Sequence, residues 1–450
     1  MAHYVPHTDD EIATMLASMG LTSLDDLFET IPEALRLVAD EGPDGRERHL
    51  RIADGRSEFE VVDELGRLAR RNAGGLVCFA GAGAYDHESP AAVRRLAFRS
   101  EYVTAYTPYQ PEVAQGVLQA LFEYQTMIAR LTGLAVANAS LYDGATACVE
   151  AANLAVAVTG RPTVWVSRGV HPRWRETMRT FAAGTGHRVV EVDLADGRTA
   201  WPDGADGETP GAVMVATPNH LGCIEDLSAA RTVADEHDAL LVVVADPVSA
   251  GLLQTPGSLG ADVVVGEGQP LGTPLSFGGP YLGLFTCRLD LVRRLPGRLV
   301  GETVDVDGRR AYVTTLRTRE QDIRREKASS NVCTNQTLIA VVCAIQLAWL
   351  GPAGLRELAL RCARATRYTR EALCAIDGVE PLVDAPTLRE FAVRLPVDPT
   401  TVVDRLAEEG FLAGVPLGDE YGTGLLVAAT ERRTRSEIDA YAAAFEKVVR

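Results

Sequence analysis

The chain has 450 residues, 46% hydrophobic and 23% charged, ordinary values for a globular protein long enough for two or three domains. Its formal net charge of −17, with no basic run to oppose it, argues against a polyanion-binding class, so nucleic acid is not an expected partner. Neither C-x-x-C nor H-E-x-x-H occurs among its eight cysteines and eight histidines, so no disulfide framework and no metal site are expected. No run of about 18 apolar residues and no basic-then-apolar leader is present, so no membrane span is expected and the cytoplasm is the expected location.

Residues 1–60 read as a helical arm. Thr8 and Glu11 form a capping box ahead of Ile12, Met15, Leu16 and Met19, and Gly20 stops the helix. A second short helix is expected from Ser23, with Leu24, Leu27 and Phe28 on one face. The polar stretch 41–57 reads as an extended connector. Residues 61–315 read as one large domain. Its expected strands are GLVCFA (75–80), LAVANAS (134–140), TVWVS (163–167), RVVEV (188–192), AVMVA (212–216), LLVVVA (240–245), DVVVG (262–266) and YLGLFTC (281–287). Helical patterns fall near 111–132, 144–159, 171–184 and 227–238. Continuous β-branched runs between helices predict an α/β fold with a mostly parallel, doubly wound sheet covered on both faces. Function then sits just beyond the carboxyl ends of the strands. Residues 316–352 read as a helical crossover. Residues 353–450 read as a small α+β domain: helix 353–376, strand 389–395, helix 399–409, strand 424–430 and helix 434–449.

Several segments carry residue types suited to chemistry. GAGAY (81–85) and GEGQPLG (266–272) put Asp86 and Leu271 where a dinucleotide fingerprint needs its third glycine, so neither is such a site. LYDGATA (141–147) leaves a strand and enters a helix at Gly144 with Thr146 in the first turn. Free backbone N–H groups there can hold a phosphate, and an ordinary glycine turn fits the same spacing. ADPVSAG (245–251) puts Asp246 directly after the most apolar strand, where it can pair with a protonated ring nitrogen of a cofactor or cap a helix. In pyridoxal-phosphate enzymes of the aminotransferase-like class, such an Asp is followed near the end of the next strand by the Schiff-base lysine. Here Gln269 stands at that place, and its amide nitrogen is not nucleophilic. A one-residue shift would put Pro270 there instead. The chain has only two lysines, Lys327 and Lys447. Lys327, in REKASSNVCTNQ (325–336), reads as a solvated residue among charged neighbours. EYVTAYTPYQPE (101–112) holds Tyr106, Thr107, Tyr109, Gln110 and Glu112, all costly to bury without partners, and reads as a subunit interface or a site loop.

Taken together, the segments resemble one family. YVPHTDDEI (4–12), GAGAYDH (81–87), TAYTPYQPEVAQG (104–116), FEYQTM (122–127), ANASLYDGATA (137–147), GADVVVGEGQPLGTPLSFGGPYLG (260–283), PGRLVGETVDVDGRR (296–310) and RTREQDIRREKASSNVCTNQ (317–336) are similar to subunit 1 of glycine decarboxylase. That is the alpha-type, N-terminal half of the P-protein of the glycine cleavage system. The matches run in order over nearly the whole chain. The resemblance implies a type I pyridoxal-phosphate fold. It implies that glycine loses its carboxylate on pyridoxal phosphate and that the remaining aminomethyl group passes to the lipoyl arm of H-protein. It further implies a two-subunit enzyme, a heterotetramer, in which subunit 2 supplies the lysine and holds the cofactor covalently. This chain, inactive alone, then carries Gln269 in place of that lysine. Tyr106, Thr107, Tyr109, Gln110 and Glu112, with Asn331 and Thr334, are the residues expected to line the shared site across the interface. Gly144, Thr146, His220, Asp246 and Gln269 are expected to line a vestigial cofactor pocket. One departure stands out: TPNHLGCIED (217–226) has His220 and Leu221 where the family is expected to carry two aromatics. It fits drift at a vacant site, and it also fits a paralogue acting on another amino acid or carrier-bound substrate. A non-catalytic structural or regulatory subunit is the third reading.

Overall fold

The computed structural model describes residues 6–36, 40–41, 47–48, 55–103, 107–202 and 209–450. They fall into two compact units, 1–74 and 75–450. In the first, Asp9–Ser18 is a helix with the expected capping box between Thr8 and Glu11, and Gly20 takes φ 75° just beyond it. The helix expected from Ser23 is instead one 3-10 turn, Asp25–Phe28. The Asp26 carboxylate folds back to accept hydrogen bonds from Thr22 and Ser23, a local arrangement that competes with helix. The connector expected over 41–57 lies mostly outside the described residues.

The second unit is built on one seven-stranded sheet. Its strands are β1 (Val136–Ala137), β2 (Thr163–Ser167), β3 (Arg188–Val192), β4 (Ala212–Thr217), β5 (Leu240–Ala245), β6 (Val263–Glu267) and β7 (Gly283–Cys287), in the spatial order β1-β7-β6-β5-β4-β2-β3. From β3 to β6 all neighbours run parallel, and β7 is antiparallel to both β6 and β1. Helix α1 (Pro111–Thr132) leads into β1, and α2 (Gly144–Thr159), α3 (Pro172–Thr185) and α4 (Leu227–Glu236) lie between β1 and β2, β2 and β3, and β4 and β5.

Successive side chains of a strand point to opposite faces, and both faces are covered here. Met214, Val242, Val244 and Val265 pack with Ala147, Cys148 and Ala151 of α2. Val213, Val215, Leu241, Val243 and Val264 pack with Leu227, Ala230 and Ala234 of α4. This explains the uninterrupted apolar runs. The edge strand β3 instead alternates exposed and half-buried residues. Ala245 of β5 pairs with Thr217 of β4, so the residues leaving β4 and β5 emerge side by side.

Three expected elements differ. LAVANAS yields only the two residues of β1, because Asn138 turns its amide to the Pro296 carbonyl and Ala139 N–H goes to Arg298. GLVCFA contributes Val77–Cys78, which pairs with Phe411–Leu412 and not with the large sheet. Phe79 then stacks on Tyr441 with centroids 3.9 Å apart. The crossover expected over 316–352 is broken: 317–327 form brief helical turns, and the long helix α5 runs Thr337–Cys374, kinked at Gly351 and Pro352. The first part of α5 is long and apolar enough to cross a membrane, yet its Ala340, Cys343 and Ala344 are core residues packed with Leu118, Leu121 and Tyr124 of α1. Beyond α5, Glu380–Pro381, Glu390–Arg394, Gly424–Ala428 and Val415–Pro416 form an antiparallel sheet, with Arg435–Val449 packed in its core.

Inside β6, a methyl group added at Gly266 would lie 2.3 Å from the carbonyl oxygen of Ala245. Gly266→Ala should therefore force β5 and β6 apart and lower stability by roughly 1–3 kcal/mol. Equilibrium denaturation checks this; an unchanged midpoint would contradict the strand spacing described.

Candidate functional site

Beyond the carboxyl ends of β2, β4, β5 and β6 the chain makes four polar turns, and Arg389 and Glu390 of the small sheet face them. They line an open cavity of ≈ 80 Å³, whose lining includes Tyr85, His171, Trp174, Asn219, His220, Asp246, Glu267, Arg389 and Glu390. Of the residues expected in a vestigial pocket, Asp246 and His220 line it. Gly144, Thr146 and Gln269 do not, although Gly144 and Gln269 touch it through Glu267.

Gln269 is fully buried, and its carboxamide is fully used. Its Nε2 donates to the carbonyls of Tyr85 at 3.0 Å and Thr273 at 2.8 Å, and its Oε1 accepts from Tyr85 N–H at 2.9 Å. The side chain thus ties the segment entering at Tyr85 to the turn after β6. Lys327 and Lys447 are both exposed and neither lines the cavity.

Glu267, two residues earlier, was not singled out from sequence. Its Oε2 accepts from Gly144 N–H at 3.0 Å, at the first turn of α2. Its Oε1 accepts from Gln269 and Leu282 N–H, each at 2.9 Å. Burial pushes its carboxyl up to about 7 while these three donors pull the other way. Thr146 N–H is taken by the helix cap Asp143 at 2.7 Å. The ring of Trp174 covers Gly144, so that a Cβ there would lie 2.3 Å from it.

Asp246 pairs with Arg389 at 3.1 Å, both side chains almost completely buried. The Arg389 guanidinium also lies over the Tyr85 ring, 3.4 Å from its centroid. Tyr85 Oη donates to Glu390 at 2.6 Å. Burial raises both Glu390 and Tyr85 above their ordinary values. His220 stacks edge-on against His171 with centroids 5.0 Å apart. Burial, with His171 and Arg175 adding to it, pulls His220 down to about 3, and burial also lowers His171. Both rings are therefore neutral near pH 7, and His220 acts here as a packing partner.

His87, Cys362 and Glu431 place three potential ligand atoms within 4.8 Å of one another. The protons argue against a metal. Arg389 donates to His87 Nε2 at 3.0 Å, so the ring proton sits on Nδ1 and donates to Glu431 at 2.7 Å. Binding a cation through Nδ1 would turn Nε2–H against the guanidinium. The trio is a hydrogen-bond relay joining the large sheet's loops to the small one.

The second predicted set lies elsewhere, on the surface. Tyr106 lies outside the described residues. Tyr109 meets the 331–334 segment: its hydroxyl is 3.5 Å from the Cys333 carbonyl, and Arg298 lies 4.1 Å over its ring. Thr334 reaches Tyr142 at 3.4 Å. Thr107, Gln110, Glu112, Asn331 and Thr334 are exposed, and none lines the cavity. The structure thus brings these two distant segments together as one polar, aromatic patch.

A doubly wound sheet with a single antiparallel strand and polar turns at the carboxyl ends is the type I fold of pyridoxal-phosphate-dependent enzymes. Solved structures share it: a sphingosine-1-phosphate lyase of Burkholderia pseudomallei matches with a TM-score of 0.65 at 18% identity, over 89% of this chain and 92% of that one. The chain belongs to the glycine cleavage system P-protein family, whose model matches residues 2–445. It is 48% identical, over 99% of both chains, to a protein of Moorella thermoacetica described as a probable glycine dehydrogenase (decarboxylating) subunit 1. A crystal structure of a glycine decarboxylase (P-protein) of the glycine cleavage system, in inhibitor-bound form, superposes with a TM-score of 0.91 at 46% identity, covering 99% of this chain and all of that one.

The residues of this chain do not fit a pyridoxal phosphate. No lysine is present at the strand end and the first amide of α2 is engaged by Glu267; Asp246 Oδ2 stands 3.1 Å from Arg389 as an ion pair and is left without a hydrogen-bond partner. The cavity is also far below the roughly 300 Å³ or more of typical cofactor pockets.

Two outcomes follow from the hydrogen bonds. Gln269→Leu strands the buried Tyr85 N–H and the Thr273 carbonyl, leaving the Tyr85 carbonyl only its bond from His87 N–H, and should lower stability by about 2–4 kcal/mol in urea denaturation; a loss within error would mean the carboxamide ties nothing together. Because Glu267 is raised from 4.5 to about 7, its favourable contribution is fully present below 4.5 and is lost as pH rises through 7. The stability margin of wild type over Glu267→Gln should therefore shrink between those pH values, and a constant margin would refute the raised value.

Proposed function

We propose that this chain is subunit 1 of a two-subunit glycine decarboxylase. Its partner, the lysine-bearing subunit 2, holds pyridoxal phosphate covalently, decarboxylates glycine and transfers the aminomethyl group to the lipoyl arm of H-protein. One observation carries the reading: within a full-length match to relatives described as subunit 1, the imine position is a buried glutamine with every amide hydrogen bond satisfied. A side chain locked in this way neither attacks a carbonyl nor moves aside for a cofactor.

The surface patch around Tyr109 supplies this chain's contribution in that reading. Tyr109 is held from behind by Arg298, whose own charge is paired with Glu320, so the ring is fixed while Glu112, Asn331 and Thr334 remain open to a partner. A rigid aromatic with exposed polar neighbours suits positioning a bound substrate across an interface. His220 packs edge-on against His171 in the cavity lining, an arrangement that accounts for the ring without a changed substrate.

Separately purified subunits test the division of labour. Exchange of the glycine carboxylate with bicarbonate should appear only on mixing; exchange by this chain alone would contradict the proposal. In the mixed enzyme, Tyr109→Ala or Glu112→Ala should lower turnover roughly tenfold or more with the complex still assembled. Loss of assembly with normal turnover in whatever complex remains would favour a purely structural subunit.

A further inference from the structure

The first amide of a helix, at the carboxyl edge of a doubly wound sheet, is a ready-made anion site. In this chain α2 is a 16-residue helix placed that way, and its first amide is already engaged by a carboxylate of the same chain. Glu267 is 8% exposed and is held by three N–H donors from three separate segments: the turn into α2, the turn after β6 and the approach to β7. Its position is therefore fixed by the fold and is not a chance contact of a mobile side chain. The Trp174 ring lies against the Cα of Gly144 beside that amide, so close that a Cβ there would be 2.3 Å from it, and it lines the same cavity as Glu267. Elsewhere in the cavity lining, Arg389 stands 3.1 Å from the Asp246 carboxylate and supplies the positive charge that a cationic ring nitrogen would otherwise bring.

We propose that the Glu267 carboxyl group occupies the place where a phosphate monoester would bind, and that with Trp174 it keeps this chain closed to phosphorylated ligands, pyridoxal phosphate among them. The consequence is that this chain does not compete with its partner for cofactor. The carboxylate also does for the fold what a bound phosphate would do, satisfying the exposed end of α2 and joining it to β6 and β7. The inference concerns ligand binding by this chain alone and does not depend on which reaction the complex carries out.

The test uses the full-length chain in a phosphate-free buffer. Inorganic phosphate and pyridoxal phosphate are the probes, thermal melting and equilibrium dialysis the readouts, and sodium chloride of matched ionic strength the control. Wild type should show no saturable response to either probe. Glu267→Ala, alone or with Trp174→Ala, should melt lower without phosphate. With phosphate it should recover part of the loss in a saturable manner and bind at least tenfold more tightly than wild type. Glu267→Gln should gain nothing, because its amide still fills the place. A variant that folds only when phosphate is present supports the proposal. Binding of either probe by wild type as tight as by the alanine variants overturns it. So does a folded alanine pair with no gain, or a variant that phosphate fails to restore, since phosphate then does not replace the carboxylate.

Discussion

Two side chains at the end of one strand, Glu267 and Gln269, hold the turns of this molecule's carboxyl edge together. Between them they satisfy four backbone N–H groups and two carbonyls, drawn from the loop at Tyr85, the turn into α2, the turn at Thr273 and the approach to β7. Buried polar groups are costly when orphaned, so this set is worth most when complete. The neighbouring turns are ordered around it: Tyr85 is placed to donate to Glu390 and to lie under Arg389, and Arg389 is placed to pair with Asp246.

That arrangement turns a ligand pocket into a structural joint. The scaffold of a pyridoxal-phosphate enzyme survives in strand order and in the position of Asp246, while the groups that would receive a cofactor are paired with one another. The joint also crosses from the large sheet to the small one, through Arg389, His87 and Glu431. Within residues 75–450 the two sheets are therefore linked by buried charge pairs, and the polar patch at Tyr109 is presented on a supported framework.

Much of this was legible in the amino-acid order. The apolar runs of β2, β4, β5 and β6 marked the parallel core, because a strand buried on both faces admits no polar alternation. Asp246 and Gln269 could be placed because each follows directly on such a run. Arg389 could not: it meets Asp246 only through the long excursion of α5 and the small sheet, and no local pattern encodes that contact. Glu267 had a signal that was passed over, a carboxylate closing an otherwise apolar strand that must find donors if buried. The early end of β1 goes with the bond from Asn138 to the Pro296 carbonyl, and the broken crossover after residue 316 with the bonds from Arg319 to the Leu295 and Gly297 carbonyls, contacts to distant segments that propensity does not register.

Because the chain has only two lysines, both exposed, the location of the cofactor is open to direct chemical reading. Borohydride reduction of the reconstituted two-subunit enzyme fixes pyridoxal phosphate to whichever lysine carries it, and peptide mass spectrometry then locates the label. The account predicts one label per pair of unlike subunits, on the partner alone, with Lys327 and Lys447 unmodified. Stoichiometric label on either of those two lysines would contradict it.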